Sequence, residues 1–160
     1  MSLVISPITK EYNHEICQII KAVGKEFGAI GEGFGPSDPE VTAMSEFYSL
    51  ENKSLYLLAS LDGNIVGGCG LAPFNGSAQI CELKKLFLLP HGRGLGLGRQ
   101  LSEHCLKFAQ QQGFNQCYLD TLSSMTSAIA LYEKLGFSHL EEPMVGTEHN
   151  GCDVWMIRSV

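Results

Sequence analysis

The loop from residue 91 to residue 99 carries the residue types of an anion-binding site. It reads His-Gly-Arg-Gly-Leu-Gly-Leu-Gly-Arg, between an apolar strand-like run and a helix-like run. Glycine lets the backbone approach an anion closely, and the free N–H groups at a helix start attract negative charge together with the helix dipole. Arg93 adds a full positive charge beside them. The pattern predicts a phosphate-bearing ligand, most simply a pyrophosphate.

Two familiar nucleotide-binding loops fit this segment poorly. The dinucleotide fingerprint G-x-G-x-x-G belongs near the first strand of a domain, whereas this loop lies in the middle of the chain. Its third glycine would fall on Leu97 if the count starts at Gly92, and on Arg99 if it starts at Gly94. The Walker loop needs a lysine followed by serine or threonine, and neither pair follows here.

Three segments together resemble the GCN5-related N-acetyltransferase (GNAT) family. Arg93-x-x-Gly96-x-Gly98 matches the family signature Gln/Arg-x-x-Gly-x-Gly/Ala. The run ELKKLFLLP at 82–90 is similar to the family's fourth strand, and AIALYEKLGF at 128–137 resembles its second motif, A-x-x-L-Y-x-x-x-G-F. The resemblance covers nearly the whole chain and is strongest over residues 80–138.

The resemblance implies a fold, an activity and a cosubstrate. We expect residues 1–160 to form one GNAT-like α/β domain with a mixed, mostly antiparallel sheet of about seven strands, splayed in the middle, and about four helices. The implied activity is transfer of an acetyl group from acetyl-CoA to an amine, without a metal. Dimers are frequent among members of the family, so a homodimer stays open.

The resemblance also assigns residues to coenzyme A. The loop would hold the pyrophosphate, and backbone groups of a strand segment would bind the pantetheine arm. The assigned residues are Leu86, Phe87, Leu88, Arg93, Gly94, Leu95, Gly96, Leu97, Gly98 and Arg99.

One position departs from the family pattern. Many relatives have an asparagine that contacts coenzyme A three residues before the alanine of the second motif, and here Met125 stands there. Either this contact is lost, or Ser123, Ser124 or Thr126 replaces it.

Tyr132 is the candidate general acid. A phenol with a pKa of about 10 can donate a proton to a thiolate whose conjugate acid has a pKa of about 8.5. The resemblance places this tyrosine beside the sulfur of coenzyme A. The alternative is a core tyrosine that packs with Leu131 and Leu135.

Glu82 is the candidate general base, acting directly or through a water molecule. It lies in an otherwise apolar strand segment, where a carboxylate needs a reason. Some family members place a catalytic glutamate at this distance before the signature arginine. The alternatives are an ion pair with Lys84 or Lys85 and an edge position that faces water.

The amine acceptor should contact the variable parts of the chain. The glycine-rich loop at 28–36 offers Glu32 and Phe34, the segment after it offers Tyr48 and Phe47, and a late loop offers Glu148 and His149. A carboxylate such as Glu32 could hold a cationic acceptor. Polyamines, amino acids, antibiotics, peptide N-termini and lysines all stay open.

Composition excludes several other classes. The net charge of -6 disfavours a nucleic-acid partner, because phosphate binding needs a basic face. No apolar run is long enough for a membrane span and no signal peptide is visible, so we expect a cytoplasmic protein. The cysteines and histidines lack metal-ligand spacing. Two other functions remain: a non-catalytic acyl-CoA sensor that regulates a protein partner, and a different phosphate-ligand enzyme.

The predicted elements alternate along the chain. Strands are expected at 3–8, 54–60, 64–72, 79–89, 114–121, 137–140 and 152–158, with hairpin turns at Asp62-Gly63 and Asn75-Gly76. A helix is expected after Thr9, with Ile16, Ile19, Ile20 and Val23 as its apolar stripe, and another from Pro39 to about Tyr48, capped by Ser37 or Asp38. A long helix is expected from within the glycine loop to about 112, with Leu97, Leu101, Cys105 and Phe108 as its buried stripe, and a short one over 126–135.

Overall fold

The computed structural model describes residues 1–160. Seven strands and four α-helices confirm the predicted fold class. In chain order these are β1 (Leu3–Pro7), α1 (Asn13–Glu26), α2 (Met44–Phe47), β2 (Leu55–Leu61), β3 (Asn64–Pro73), β4 (Ile80–Leu88), α3 (Leu97–Gln111), β5 (Gln116–Thr121), α4 (Thr126–Lys134), β6 (Ser138–Leu140) and β7 (Val154–Ser159). None of the helices combines the length and apolar character that crossing a lipid bilayer requires.

The strands form a single mixed sheet in the order β1-β2-β3-β4-β5-β7-β6. All neighbouring pairs are antiparallel except β4 and β5, which run parallel. This parallel pairing covers only Ile80 to Glu82 on β4, after which the two strands part. The sheet is therefore splayed at its centre, as the resemblance implied.

Helices cover both faces of the sheet and bury two separate apolar clusters. The predicted stripe of α1, which includes Ile16, Ile20 and Val23, packs on one face. The stripe of α3, which includes Leu101 and Cys105, packs on the other face. Because residues three and four apart share a helix face, the 3.6-residue periodicity identified both stripes correctly.

A β-bulge in β4 reverses which residues face which side of the sheet. Lys85 has a φ of 57°, and the register against β3 shifts between Gly68 and Gly70. In a regular strand, residues three apart point to opposite faces. Leu83, before the bulge, and Leu86, after it, nevertheless both pack in the cluster on the α3 side. One extra residue in a strand shifts the alternation in this way.

Tyr56, on β2, supports this bulge from across β3. Its ring crosses β3 so closely that a Cβ on Gly68 or Gly70 would lie 2.5 or 2.6 Å from it, which explains why glycine stands at both positions. The Tyr56 hydroxyl then donates a hydrogen bond to the Lys85 carbonyl at 2.8 Å. The glycines of β3 thus serve the geometry of β4.

The prediction of a continuous helix from Pro39 to Tyr48 is wrong. The structure has a 3-10 turn at Pro39–Ala43, a break at Ala43 with φ of −147°, and then only the single turn of α2. Asp38, an expected N-cap, makes no capping bond because its carboxylate contacts Lys85 and His149 instead.

The two predicted hairpins differ in outcome. Asp62 and Gly63 form the two-residue turn between β2 and β3, both with positive φ. Asn75 and Gly76 also have positive φ, but they lie in a 3-10 turn, and β4 begins only at Ile80. The connection to β4 is therefore longer than a tight hairpin.

Candidate functional site

A cleft of about 430 Å³ opens where β4 and β5 separate. One wall is the edge of β4 at Leu86–Leu88, and the start of α4 forms the opposite wall. The glycine loop and the end of α1 complete the lining. Because β4 has lost its partner strand here, the backbone groups on this edge need another hydrogen-bond partner.

The glycine loop presents a row of free backbone donors to this cleft. No amide from Gly94 to Arg99 donates a hydrogen bond within the chain, and Gln100, bonded to the Gly96 carbonyl at 3.0 Å, is the first that does. Gly94 and Gly96 have φ values of 75° and 81°, in the left-handed region where only glycine is unstrained. Unpaired N–H groups at a helix start suit an anion such as a pyrophosphate.

Arg93 lines the cleft and is already engaged by an acidic side chain. Its guanidinium forms a two-pronged pair with Glu26, at 2.7 and 2.8 Å, and its Nε donates to the Leu88 carbonyl at 3.0 Å. The guanidinium carbon also lies 5.2 Å from the centre of the Phe27 ring. A phosphate that reaches Arg93 would compete with the Glu26 carboxylate.

The other predicted loop residues play unequal parts. Gly98 lines the cleft, and a Cβ there would lie 3.4 Å from Leu131. Leu97 is buried in the core and Leu95 packs against it, so both can offer the cleft only backbone groups. Arg99 lines the cleft but pairs with Glu103 at 2.7 Å.

Tyr132 lies on α4 and combines core packing with a free hydroxyl. The ring packs edge-on against Phe137, with centroids 5.9 Å apart. Its hydroxyl makes no hydrogen bond within the chain. Ser102 Oγ is the only side-chain polar atom that is both fully buried and without a hydrogen-bond partner, so the Tyr132 hydroxyl is not completely buried. Burial, with smaller effects from Cys69 and Cys117, raises the pKa of Tyr132 well above its ordinary value. The phenol is therefore protonated at neutral pH, and Tyr132 lies outside the lining of both the large cleft and the pocket around Glu82.

A second, smaller pocket of about 60 Å³ surrounds Glu82. Glu82 stands opposite Tyr118 at the last paired position before β4 and β5 part, and it is 8% exposed. Phe87 and Met125 line both this pocket and the large cleft. The two spaces thus share a wall.

Neither alternative role of Glu82 is found. Lys84 pairs directly with Glu40 at 3.4 Å and Lys85 with Asp38 at 2.8 Å, so neither lysine contacts Glu82. Burial lowers the pKa of Lys84, but the charges of Glu82 and Glu40 outweigh burial and raise it. Burial excludes an edge position that faces water. The Glu82 carboxylate accepts no hydrogen bond and lies 3.5 Å from Nδ1 of His149.

His149, in the loop between β6 and β7, sits among three carboxylates. Its Nδ1 is 2.8 Å from Asp120 Oδ1, and its Nε2 is 2.8 Å from Asp38 Oδ2. Burial by itself lowers the pKa of His149, but hydrogen bonds to Asp120 and Asp38 and the nearby Glu82 carboxylate outweigh burial and raise it to about 11. The resulting imidazolium ties the late loop to β5.

Asp38 anchors the other side of this network. Burial raises its pKa, but the hydrogen bond from His149 and the charge of Lys85 outweigh burial and lower it to about 2. Asp38 is therefore ionised at neutral pH, and it fixes the segment after the glycine-rich loop at 28–36 to β4 and to the late loop.

Sequence reasoning did not assign Asp120 or Asp38 to the site. Asp120 follows apolar residues in β5, and a carboxylate in apolar surroundings is the signal that would have identified it, as it did for Glu82. His149 was expected only as one of several polar residues in its loop. No spacing rule joins these side chains, because they come from four different segments.

The predicted acceptor residues are placed differently from one another. Phe34 lines the Glu82 pocket and packs on Gly151, and the Gly151 amide donates to the Gly33 carbonyl at 2.9 Å. Glu32 is exposed and lies outside the pocket lining. Tyr48 is buried and donates its hydroxyl to Glu40, also outside the lining.

Met125 stands at the junction of the two spaces, immediately before α4. Of the three hydroxyls that could replace the family's asparagine, Ser123 is bonded to Asp153 at 2.8 Å and Ser124 to the Phe27 carbonyl at 2.8 Å. Thr126 lines the cleft and makes no such bond. Thr126 is therefore the hydroxyl left for a ligand.

Comparisons with known proteins agree with this architecture. The family model described as Acetyltransferase (GNAT) family matches residues 22–137. The uncharacterized N-acetyltransferase YjgM of Escherichia coli (strain K12) is 37% identical over 161 residues, which cover 99% of this chain and 96% of that protein.

Solved structures show the same fold. An acetyltransferase of GNAT family from Staphylococcus aureus Mu50 superposes with a TM-score of 0.86 at 22% identity, covering 99% of each chain. The acetyltransferase yncA from Salmonella typhimurium, solved with its cofactor acetyl-CoA, gives a TM-score of 0.79 at 21% identity, covering 99% of this chain and 94% of that one. Since the family model matches most of the sequence, the chain belongs to the GNAT family of N-acetyltransferases.

Proposed function

We propose that this protein transfers an acetyl group from acetyl-CoA to a primary amine while both substrates are bound. The observation that carries the proposal is the shared wall of Phe87 and Met125 between the large cleft and the Glu82 pocket. A thioester in the cleft and an amine in the pocket would meet there. Such positioning can itself supply several kcal/mol of the barrier reduction.

The residues around the cleft suit coenzyme A. Free amides from Gly94 to Arg99, at the positive end of the α3 dipole, would bind the pyrophosphate. The unpaired edge of β4 at Leu86–Leu88 would bind the amide groups of the pantetheine arm. The structure of yncA with acetyl-CoA, and that of a PaiA N-acetyltransferase from Thermoplasma acidophilum with coenzyme A, support this assignment for chains of the same fold.

Glu82 is the side chain best placed to accept the proton of the amine. An alkylammonium has a pKa of about 10.4 and must lose a proton before its nitrogen can attack a carbonyl carbon. Asp120, the other buried acid nearby, already accepts from Thr147 and His149. Glu82 accepts nothing, so its carboxylate can take the proton directly or through a water molecule.

Tyr132 would complete the proton balance. The cosubstrate supplies an activated acetyl group and a thiolate leaving group. The free hydroxyl of Tyr132 can donate its proton to that sulfur, and the phenolate then regains a proton from solvent. The proton given up by the amine leaves through Glu82, so the site returns to its starting state.

The test is a thiol-release assay with acetyl-CoA against a panel of amines. The panel should include polyamines, amino acids, aminoglycosides and peptides with free N-termini or lysines. We expect release that depends on one amine class, together with coenzyme A binding by calorimetry. Coenzyme A binding without turnover on any amine would instead support the acyl-CoA sensor, and absence of binding would overturn both.

A further inference from the structure

Three potential metal ligands lie close together in the lining of the Glu82 pocket, which is called the acceptor pocket below because the amine is proposed to bind there. Asp120 Oδ1 and Glu82 Oε2 lie 2.8 and 3.5 Å from His149 Nδ1, and the three atoms are all within 4.8 Å of one another. They come from β5, β4 and the late loop. Donor atoms at these separations can bind one cation with bonds of about 2.0–2.2 Å after a small contraction.

Two of these ligands are hydrogen-bonded to other groups through their second polar atom. His149 directs its second nitrogen to Asp38 at 2.8 Å, and Asp38 is itself paired with Lys85 at 2.8 Å. The second oxygen of Asp120 accepts from the Thr147 hydroxyl at 2.5 Å. A carboxylate behind the histidine and a donor behind the acid are the usual supports of metal ligands, because they fix orientation and raise basicity.

Glu82 gives the independent observation. It is 8% exposed and directed at His149 Nδ1, and it accepts no hydrogen bond. A buried carboxylate that shares its cation with a closer acid is costly unless a further cation reaches it. Lys84 and Lys85 are paired with Glu40 and Asp38, and His149 lies closer to Asp120 than to Glu82, so four carboxylates share three cationic groups and one negative charge is left over.

We propose that Glu82, Asp120 and His149 form a binding site for a divalent transition cation, with Zn²⁺ as the representative ion. Imidazole nitrogen favours Zn²⁺ over Mg²⁺ or Ca²⁺, which prefer oxygen alone. On binding, the Nδ1 proton of His149 passes to solvent and its lone pair coordinates the ion. The adjoining pocket of about 60 Å³ has room for a water molecule as a further ligand.

The site would regulate the proposed reaction. An ion bound to Glu82 removes the group that accepts the amine proton, so Zn²⁺ is expected to inhibit acetyl transfer. It should compete with the amine and not with acetyl-CoA, since the ligands line the acceptor pocket and not the large cleft. This consequence rests on the proposed function, whereas binding of the ion does not.

The test of binding uses Co²⁺ as the probe on the full chain without any substrate. We expect visible absorption bands from bound Co²⁺ that Zn²⁺ displaces. Glu82→Gln, which removes a ligand but no hydrogen bond, should weaken binding about 10-fold or more. His139→Ala is the matched control, because it removes an exposed histidine paired with Glu133 at 3.2 Å and should leave the bands unchanged.

Two outcomes would overturn the metal site: absence of the absorption bands, or equal Co²⁺ affinity in Glu82→Gln and the wild type. His149→Gln serves as a second variant, and circular dichroism shows that each variant is folded. Inhibition is tested separately by adding Zn²⁺ and then EDTA to an active assay. Co²⁺ binding without inhibition by Zn²⁺ would refute the regulatory role and the assignment of Glu82 as base, while leaving acetyl transfer itself intact.

Discussion

Replacement of Tyr132 by phenylalanine separates its two roles. The ring contact with Phe137 survives, and the lost hydroxyl made no hydrogen bond within the chain. We therefore expect the free energy of unfolding to change by less than about 0.5 kcal/mol, within about 2 °C in Tm for a chain of this size. If the hydroxyl protonates the leaving thiolate, kcat should fall about 10²- to 10⁴-fold, or about 2.7–5.4 kcal/mol in the activation barrier.

Steady-state thiol release, with thermal unfolding in parallel, measures both effects. KM for acetyl-CoA should stay within about two-fold, since the missing proton transfer acts on the transition state. Because burial raises the pKa of Tyr132, the phenol should keep its proton, and the wild-type rate should show no loss from its ionisation up to about pH 10. Tyr12→Phe, on the surface, is the matched control. A Tyr132→Phe enzyme with the wild-type kcat would reduce Tyr132 to a core residue and refute the acid assignment.

Three further substitutions test the remaining parts of the site. Glu82→Gln should lower kcat about 10²- to 10⁴-fold while the calorimetric Kd for coenzyme A stays within about two-fold; a wild-type kcat would place the base elsewhere. Gly98→Val should raise that Kd about 5- to 150-fold, the range that overpacking of about 1–3 kcal/mol gives, because its side chain would enter the cleft beside Leu131, whereas Gly98→Ala should change it little. Glu26→Gln should lower the Kd about two- to five-fold by freeing Arg93 from an exposed ion pair, and an unchanged Kd would show that Arg93 does not bind phosphate.

Local patterns were sufficient to predict the free amides of the glycine loop and the buried faces of two helices. The glycine loop and the start of α3 are adjacent in sequence, so the row of free amides follows from spacing alone. Helix periodicity likewise identified the buried faces of α1 and α3. What these features share is that every participating residue lies within a few positions of the next.

The network around Glu82 and His149 depends on contacts between distant segments, which the sequence patterns did not predict. Asp38, Glu82, Asp120 and His149 meet only after the sheet has formed. The expected cap role of Asp38 was wrong for the same reason, since a histidine 111 residues later in the chain competes for its carboxylate. Propensity describes a residue's neighbours in sequence, and this tertiary contact outweighed it.

The β-bulge at Lys85 divides β4 into two stretches that border different cavities. Upstream, side chains at 82 and 84 line the Glu82 pocket, while downstream residues 86–88 border the cleft where acetyl-CoA is proposed to lie, and Phe87 is the one β4 residue that lines both. Substitutions in the first stretch could therefore alter amine selectivity without disturbing the second. A single-residue deletion at the bulge would exchange the faces on which Leu86, Phe87 and Leu88 project, removing each from the apolar cluster in which it now packs. Engineers who wish to retarget the enzyme should accordingly vary the strand by replacement and leave its length unaltered.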